Sequence, residues 1–174
     1  MSENRWEDIE FDKIPSRAGL IYKNAFARRD LIAKKYEEFI KDDTKKVNAD
    51  ALYPYDIVKK AFEVMNDNLD NTNRLAVNKY WENQKDYLNG QSCKMLCVCD
   101  TSGSMLWSSY QNTTPIHIAI GLSLYCAERV GGPFKDYYIS FASNPQLIKT
   151  EGADFVDKVK RIYDTNLFDS TDLI

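Results

Sequence analysis

Lys94-Met95-Leu96-Cys97-Val98-Cys99 is a short, nearly unbroken apolar run that ends abruptly on Asp100 and a polar stretch reaching Thr113. A run of this length, rich in apolar residues and bounded by polar ones, reads as a strand buried on both faces of a parallel sheet. It divides the chain. Everything before about Ser92 reads as helix, and the boundary is expected between Asn89 and Lys94. Residues 1–90 are therefore expected to form a helical region and 91–174 a region built on a sheet.

In the helical part, Pro15-Ser16 marks a start, with Ser16 placed to cap free N–H groups. Leu20, Ile21, Phe26, Leu31, Ile32, Tyr36, Phe39 and Ile40 then recur at roughly helical spacing, with Asp30 as a cap after a short break. Tyr53-Pro54-Tyr55 is a turn, because proline disfavours helix at the residue before it, and Asp56 is expected to cap the next helix. A further helix is expected from about Thr72 to Leu88, with Leu75, Ala76, Tyr80, Trp81 and Tyr87 inward and Asn89-Gly90 as its stop. After Asp100, Thr114-Pro115 supplies a cap and a proline at the first helical position. That helix should run to Val130, where Gly131-Gly132-Pro133 ends it. Asp136–Phe141 reads as a strand, Gln146–Lys149 as its hairpin partner, and Ala153–Tyr163 as a last helix. Strand, helix, strand, strand, helix is the order of an α/β sheet covered by helices.

Charge and cysteine content narrow the function. A net charge of −3 argues against a globally basic nucleic-acid binder. Residues 13–46 are a local exception, with ten Lys or Arg against five Asp or Glu. There Arg17, Lys23, Arg28, Arg29, Lys34 and Lys35 read either as a phosphate-facing surface or, more simply, as a solvated helix exterior. No run approaches the length of apolar sequence that spans a membrane. The charged N-terminus lacks a signal-peptide stretch, so a cytoplasmic location is expected. Four cysteines, three of them crowded at Cys93, Cys97 and Cys99, do not form a secreted disulfide framework.

The chemistry gathers at Asp100. Ligand sites of open α/β sheets lie at the carboxyl ends of strands. Asp100, Ser102 and Ser104 alternate along a loop that Gly103 is expected to bend. One carboxylate and two hydroxyls make a hard-oxygen set suited to Mg²⁺ or Mn²⁺, with positions left for water or a ligand carboxylate. The simpler reading is a polar turn after a strand. Zinc at Cys93, Cys97, Cys99 and His117 has no standard spacing behind it, and thiols on one strand face commonly pack as small apolar groups. No Ser-His-Asp set is recoverable around the lone His117. A dehalogenase-type phosphatase wants a second aspartate where this chain has Ser102.

Asp100-Thr101-Ser102-Gly103-Ser104-Met105 resembles the metal-ion-dependent adhesion motif of von Willebrand factor A domains. Ile14-Pro15-Ser16-Arg17-Ala18 and Ala51–Val58, with Phe141-Ala142-Ser143-Asn144-Pro145 later, resemble an uncharacterised family of bacteria, phages, plants and fungi. That family joins a TROVE-like helical region to a von Willebrand A-like domain. The resemblance implies a Rossmann-like, partial A-type sheet after an all-helical N-terminal region. It implies a Mg²⁺ (or Mn²⁺) site at Asp100, Ser102 and Ser104, joined by Thr171 from Asp169-Ser170-Thr171-Asp172, with Thr165 a weaker match. It also implies a cation-dependent module that binds a protein offering an acidic side chain, without catalysis. Trp107, in Met105-Leu106-Trp107, is the partner-binding candidate beside that loop. The alternative implied by the TROVE likeness is RNA binding through Arg17, Lys23, Arg28 and Arg29. The chain stops at Ile174, at the threonine loop, where a whole A-type domain would supply more strands. It is therefore expected to be a fragment, a split gene product, or a protein that borrows the missing half. An incomplete sheet leaves an edge open to self-association.

Overall fold

The computed structural model describes residues 6–88, 94–107, 109, 113–141 and 144–169. Among them the chain is mixed α/β, with six α-helices and a three-stranded sheet. The elements are α1 (Ser16–Arg28), α2 (Asp30–Lys41), α3 (Pro54–Val64), α4 (Thr72–Glu82), β1 (Cys97–Asp100), α5 (Pro115–Arg129), β2 (Tyr137–Phe141), β3 (Gln146–Lys149) and α6 (Phe155–Asp169). None of the described helices is long and apolar enough to cross a membrane. The chain forms two compact units that interleave in sequence: residues up to 52 with 66–85, and 53–65 with the rest from 86. Helix α3, N-terminal in sequence, thus belongs with the sheet.

In the first unit, α1, α2 and α4 pack together. Leu20 and Phe26 of α1, Ile32, Tyr36 and Ile40 of α2, and Ala76, Val77, Tyr80 and Trp81 of α4 are buried. The ring of Phe11 lies 5.5 Å from that of Phe26 and 5.0 Å from that of Tyr36, distances at which aromatic pairs attract. Ile21 and Leu31 are exposed, so the apolar spacing overstated the buried stripe. A cation closes the end of α2: Lys79 is buried, and its Nζ donates to the carbonyls of Ile40 (3.1 Å) and Asp42 (2.7 Å). Those terminal carbonyls have no intrahelical donor, and positive charge is favoured there.

Local starts and stops differ from expectation in four places. Ser16 is the first residue of α1 rather than its cap, and its hydroxyl donates to Asn48 Oδ1 at 2.6 Å. Asp30 and Asp56 lie inside their helices; the Asp56 carboxylate accepts the Tyr53 N–H at 3.0 Å from the third helical position. Helix α4 ends at Glu82, where Asn83 folds its amide back onto the Lys79 carbonyl (2.8 Å), and Tyr87 is exposed rather than inward.

In the second unit, β1 and β2 are parallel and joined through α5, and β3 pairs antiparallel outside β2. Helix α5 packs on β1 and β2, and α3 packs on α5 and α6. Ile57 and Val58 of α3, Ile120 and Leu124 of α5, and Val156 and Val159 of α6 are completely buried. Helices α3 and α5 meet at Gly121, where an added Cβ would stand 3.0 Å from backbone atoms of Pro54 and Tyr55. The His117 Nδ1 accepts the Thr114 N–H (3.0 Å) at the start of α5. After that helix, Gly132 takes a left-handed φ of 95°. The strand β1 is not buried on both faces. Val98 is 58% exposed and Leu147 57%, and register aligns both with Ile139 on one face of the sheet. Alternation therefore decides burial here: Cys99 and Tyr138 lie inside.

Candidate functional site

Asp100 is the last residue of β1, so its carboxylate stands at the carboxyl end of the parallel pair. Its Oδ1 accepts the Ser102 N–H at 3.0 Å, which turns the chain at the strand tip. Residues Gly103–Leu106 then form a 3₁₀ turn, closed by the Met105 N–H on the Ser102 carbonyl at 2.9 Å. This turn brings the Ser102 and Ser104 hydroxyls to 3.0 Å from each other. The three residues expected to share a site thus lie in one hydrogen-bonded loop.

Gly103 is not what bends the loop. Its φ is not left-handed, and a Cβ there would meet nothing within 4 Å. The Asp100 side chain makes the turn instead. Thr101, which sequence reasoning passed over, is buried, and its Oγ1 has no hydrogen-bond partner among the described residues. Trp107 is 86% exposed directly after the turn. Thr171 lies outside the described residues, as does Cys93. Thr165 sits within α6 and donates its hydroxyl to the Arg161 carbonyl at 2.7 Å.

Among the described residues the zinc candidates Cys97, Cys99 and His117 form no metal-holding group, and Cys93 lies outside them. No group of three or more His, Cys, Asp or Glu able to hold a metal is present among the described residues. His117 is held by Thr114, and its ring meets Phe62 edge-on at 4.8 Å. Burial and the nearby Lys59 lower its pKa. Cys97 and Cys99 both turn toward α5, as residues two apart on a strand must. Cys99 bonds Ser123, and burial pushes its thiol up to about 11. Cys97 shares a thiol–thiol hydrogen bond with Cys126, which holds Cys97 well up. The same bond, with Arg129 beside it, pulls Cys126 down to about 7.

The basic residues of α1 and α2 scatter in role. Arg17 and Arg28 are exposed. Lys23 is only 1% exposed and donates to Asn24, so its ammonium is not displayed to a polyanion. Arg29 stacks 3.8 Å over the Trp6 ring. Lys35 donates to the Glu7 and Ile9 carbonyls. Lys23, Arg29 and Lys35 are thus engaged within the helical unit, while Arg17 and Arg28 face solvent.

Fold and loop together define a mixed α/β protein whose parallel strand pair ends on a compact, oxygen-rich turn. The chain belongs to the family described as Domain of unknown function (DUF2828), whose model matches residues 1–105. A second family model, Domain of unknown function (DUF7788), matches residues 94–174. The two overlap across β1 and the Asp100 loop. Uncharacterized protein L728 of Acanthamoeba polyphaga mimivirus is 27% identical over 188 residues, covering 99% of this chain and 31% of that protein. The chain thus spans about a third of the length of the curated relative it matches. No solved structure matches it.

Proposed function

We propose that this chain is a divalent-cation-dependent protein-binding module of von Willebrand A type, without catalysis of its own. Asp100 is the charged ligand of Mg²⁺ or Mn²⁺, and Ser102 and Ser104 supply hydroxyl oxygens, with Thr171 as a further oxygen. The observation that carries the reading is the 3.0 Å separation of the two serine hydroxyls beside the Asp100 turn. Adjacent oxygens of an octahedral Mg²⁺ shell, each about 2.1 Å from the ion, stand roughly 3 Å apart. The parallel β1–β2 pair with β3 antiparallel outside it is compatible with an A-type sheet.

A set with one carboxylate binds weakly alone, because affinity for a hard cation grows with ligand charge and count. That favours a partner whose own acidic side chain completes the shell, with exposed Trp107 as an aromatic anchor next to it. The test is Mn²⁺ binding by the full chain. Asp100→Ala should lower affinity at least about tenfold, since it removes the only protein charge on the ion. Equal Mn²⁺ affinity in wild type and a folded Asp100→Ala variant refutes the site. RNA binding through α1 and α2 stands second, because Lys23 is buried and Arg29 and Lys35 are engaged within the helical unit.

A further inference from the structure

Two thiols outside the metal loop meet inside the sheet unit. Cys97 opens β1, and Cys126 lies in the last turns of α5, the helix that packs on β1. Their sulfurs share a hydrogen bond, and both residues are half-buried free thiols. We propose that Cys97 and Cys126 form a redox-active dithiol, oxidised to an intramolecular disulfide by hydroperoxides and restored by thiol reductants. The inference is independent of metal binding.

The surroundings assign different roles to the two sulfurs. Cys126 is the attacking group. Its hydrogen bond from Cys97 and the Arg129 guanidinium favour its thiolate. Arg129 is held there by its stacking 4.2 Å over the Tyr125 ring. Cys97 is the resolving group, and it keeps its proton until it is needed. In the first step the Cys126 thiolate attacks one peroxide oxygen; the S–O bond forms, the O–O bond breaks, and hydroxide leaves to become water. In the second, Cys97 attacks the Cys126 sulfur; the S–S bond forms, the S–O bond breaks, and the Cys97 proton leaves with the hydroxyl as water. Two thiols lose two electrons and two protons, and one peroxide becomes two waters. Cys99 takes no part: it is fully buried against Ser123.

The experiment treats the reduced full chain with one equivalent of hydrogen peroxide, blocks free thiols, and maps disulfides by mass spectrometry. Cleavage after Lys94 and before Asp100 separates Cys97 from Cys126 and from Cys93, and fragment-ion sequencing of the 95–99 peptide tells a link at Cys97 from one at Cys99. The expected product is a Cys97–Cys126 link. In Cys97→Ser, Cys126 should instead be trapped as a sulfenic acid by a dimedone probe. In untreated wild type, Cys126, beside the Arg129 guanidinium, should alkylate measurably faster than Cys97 at neutral pH. A principal link through Cys93 or Cys99, no link at all, or equal alkylation rates at the two thiols each overturns the assignment. The wild-type measurements stand even if a serine variant folds poorly.

Discussion

Gly121→Ala sets two opposed effects against each other on the second turn of α5. In an exposed helix, replacing glycine by alanine gains about 1 kcal/mol, because the unfolded chain loses freedom and the helix does not. Here the new methyl would stand 3.0 Å from the Pro54 carbonyl carbon, 3.0 Å from the Tyr55 nitrogen and 3.2 Å from Pro54 Cβ. Those are atoms at the start of α3, not the tip of a flexible side chain. Proline fixes its own φ, and the preceding Tyr53 N–H is tied to the Asp56 carboxylate, so this turn gives little. Overpacking of a tight contact costs about 1–3 kcal/mol. The clash should therefore win, leaving a net loss of about 1 kcal/mol. Urea unfolding followed by circular dichroism reads it as a fall in midpoint of roughly half a molar. Gly103→Ala is the control: its Cβ meets open space and its φ is ordinary, so its midpoint should not fall. A Gly121→Ala chain as stable as wild type, or more so, would show that the α3–α5 contact is looser than these distances imply.

Three other outcomes follow from the same structure. Lys79→Met should destabilise the chain by about 2–4 kcal/mol, since it leaves the Ile40 and Asp42 carbonyls without their charged donor; an unchanged thermal midpoint would refute the capping role. His117 has a folded-state pKa below its usual value of 6.5, so the unfolded chain binds the proton more readily and stability must fall as pH drops through 6.5 and toward the folded value. His117→Gln keeps an acceptor for the Thr114 N–H and removes the titration, so the wild-type deficit relative to it should grow between about pH 7 and pH 5, and a constant difference would contradict the shift. Asp100→Ala should lower Mn²⁺ affinity at least about tenfold while thermal stability changes little, because the hydrogen bond it loses lies at a partly exposed strand tip.

The candidate loop was legible because its chemistry is local. Asp100, Ser102 and Ser104 are close in sequence, so one turn suffices to gather them. The agent of that turn was misread: glycine was the expected hinge, yet the Asp100 carboxylate on the Ser102 N–H makes the bend. The individual roles of the basic residues were not legible for a different reason. A charge count cannot tell that Lys23 faces the core, that Arg29 lies on Trp6, or that Lys35 holds two backbone carbonyls.

Residue order alone settled the kind and succession of helices and strands, though not every boundary, since apolar spacing, proline at Pro54 and Pro115, and the run into Asp100 act within a few residues of each other. The partners of those elements were decided only in three dimensions. Helix α3 joins the sheet unit across more than thirty residues of intervening chain, and Gly121 lets it approach α5. Cys97 finds Cys126 because a strand's face repeats every two residues and a packed helix lays its own turn against it. Such pairings depend on which surfaces bury each other, and spacing along the chain does not carry that information.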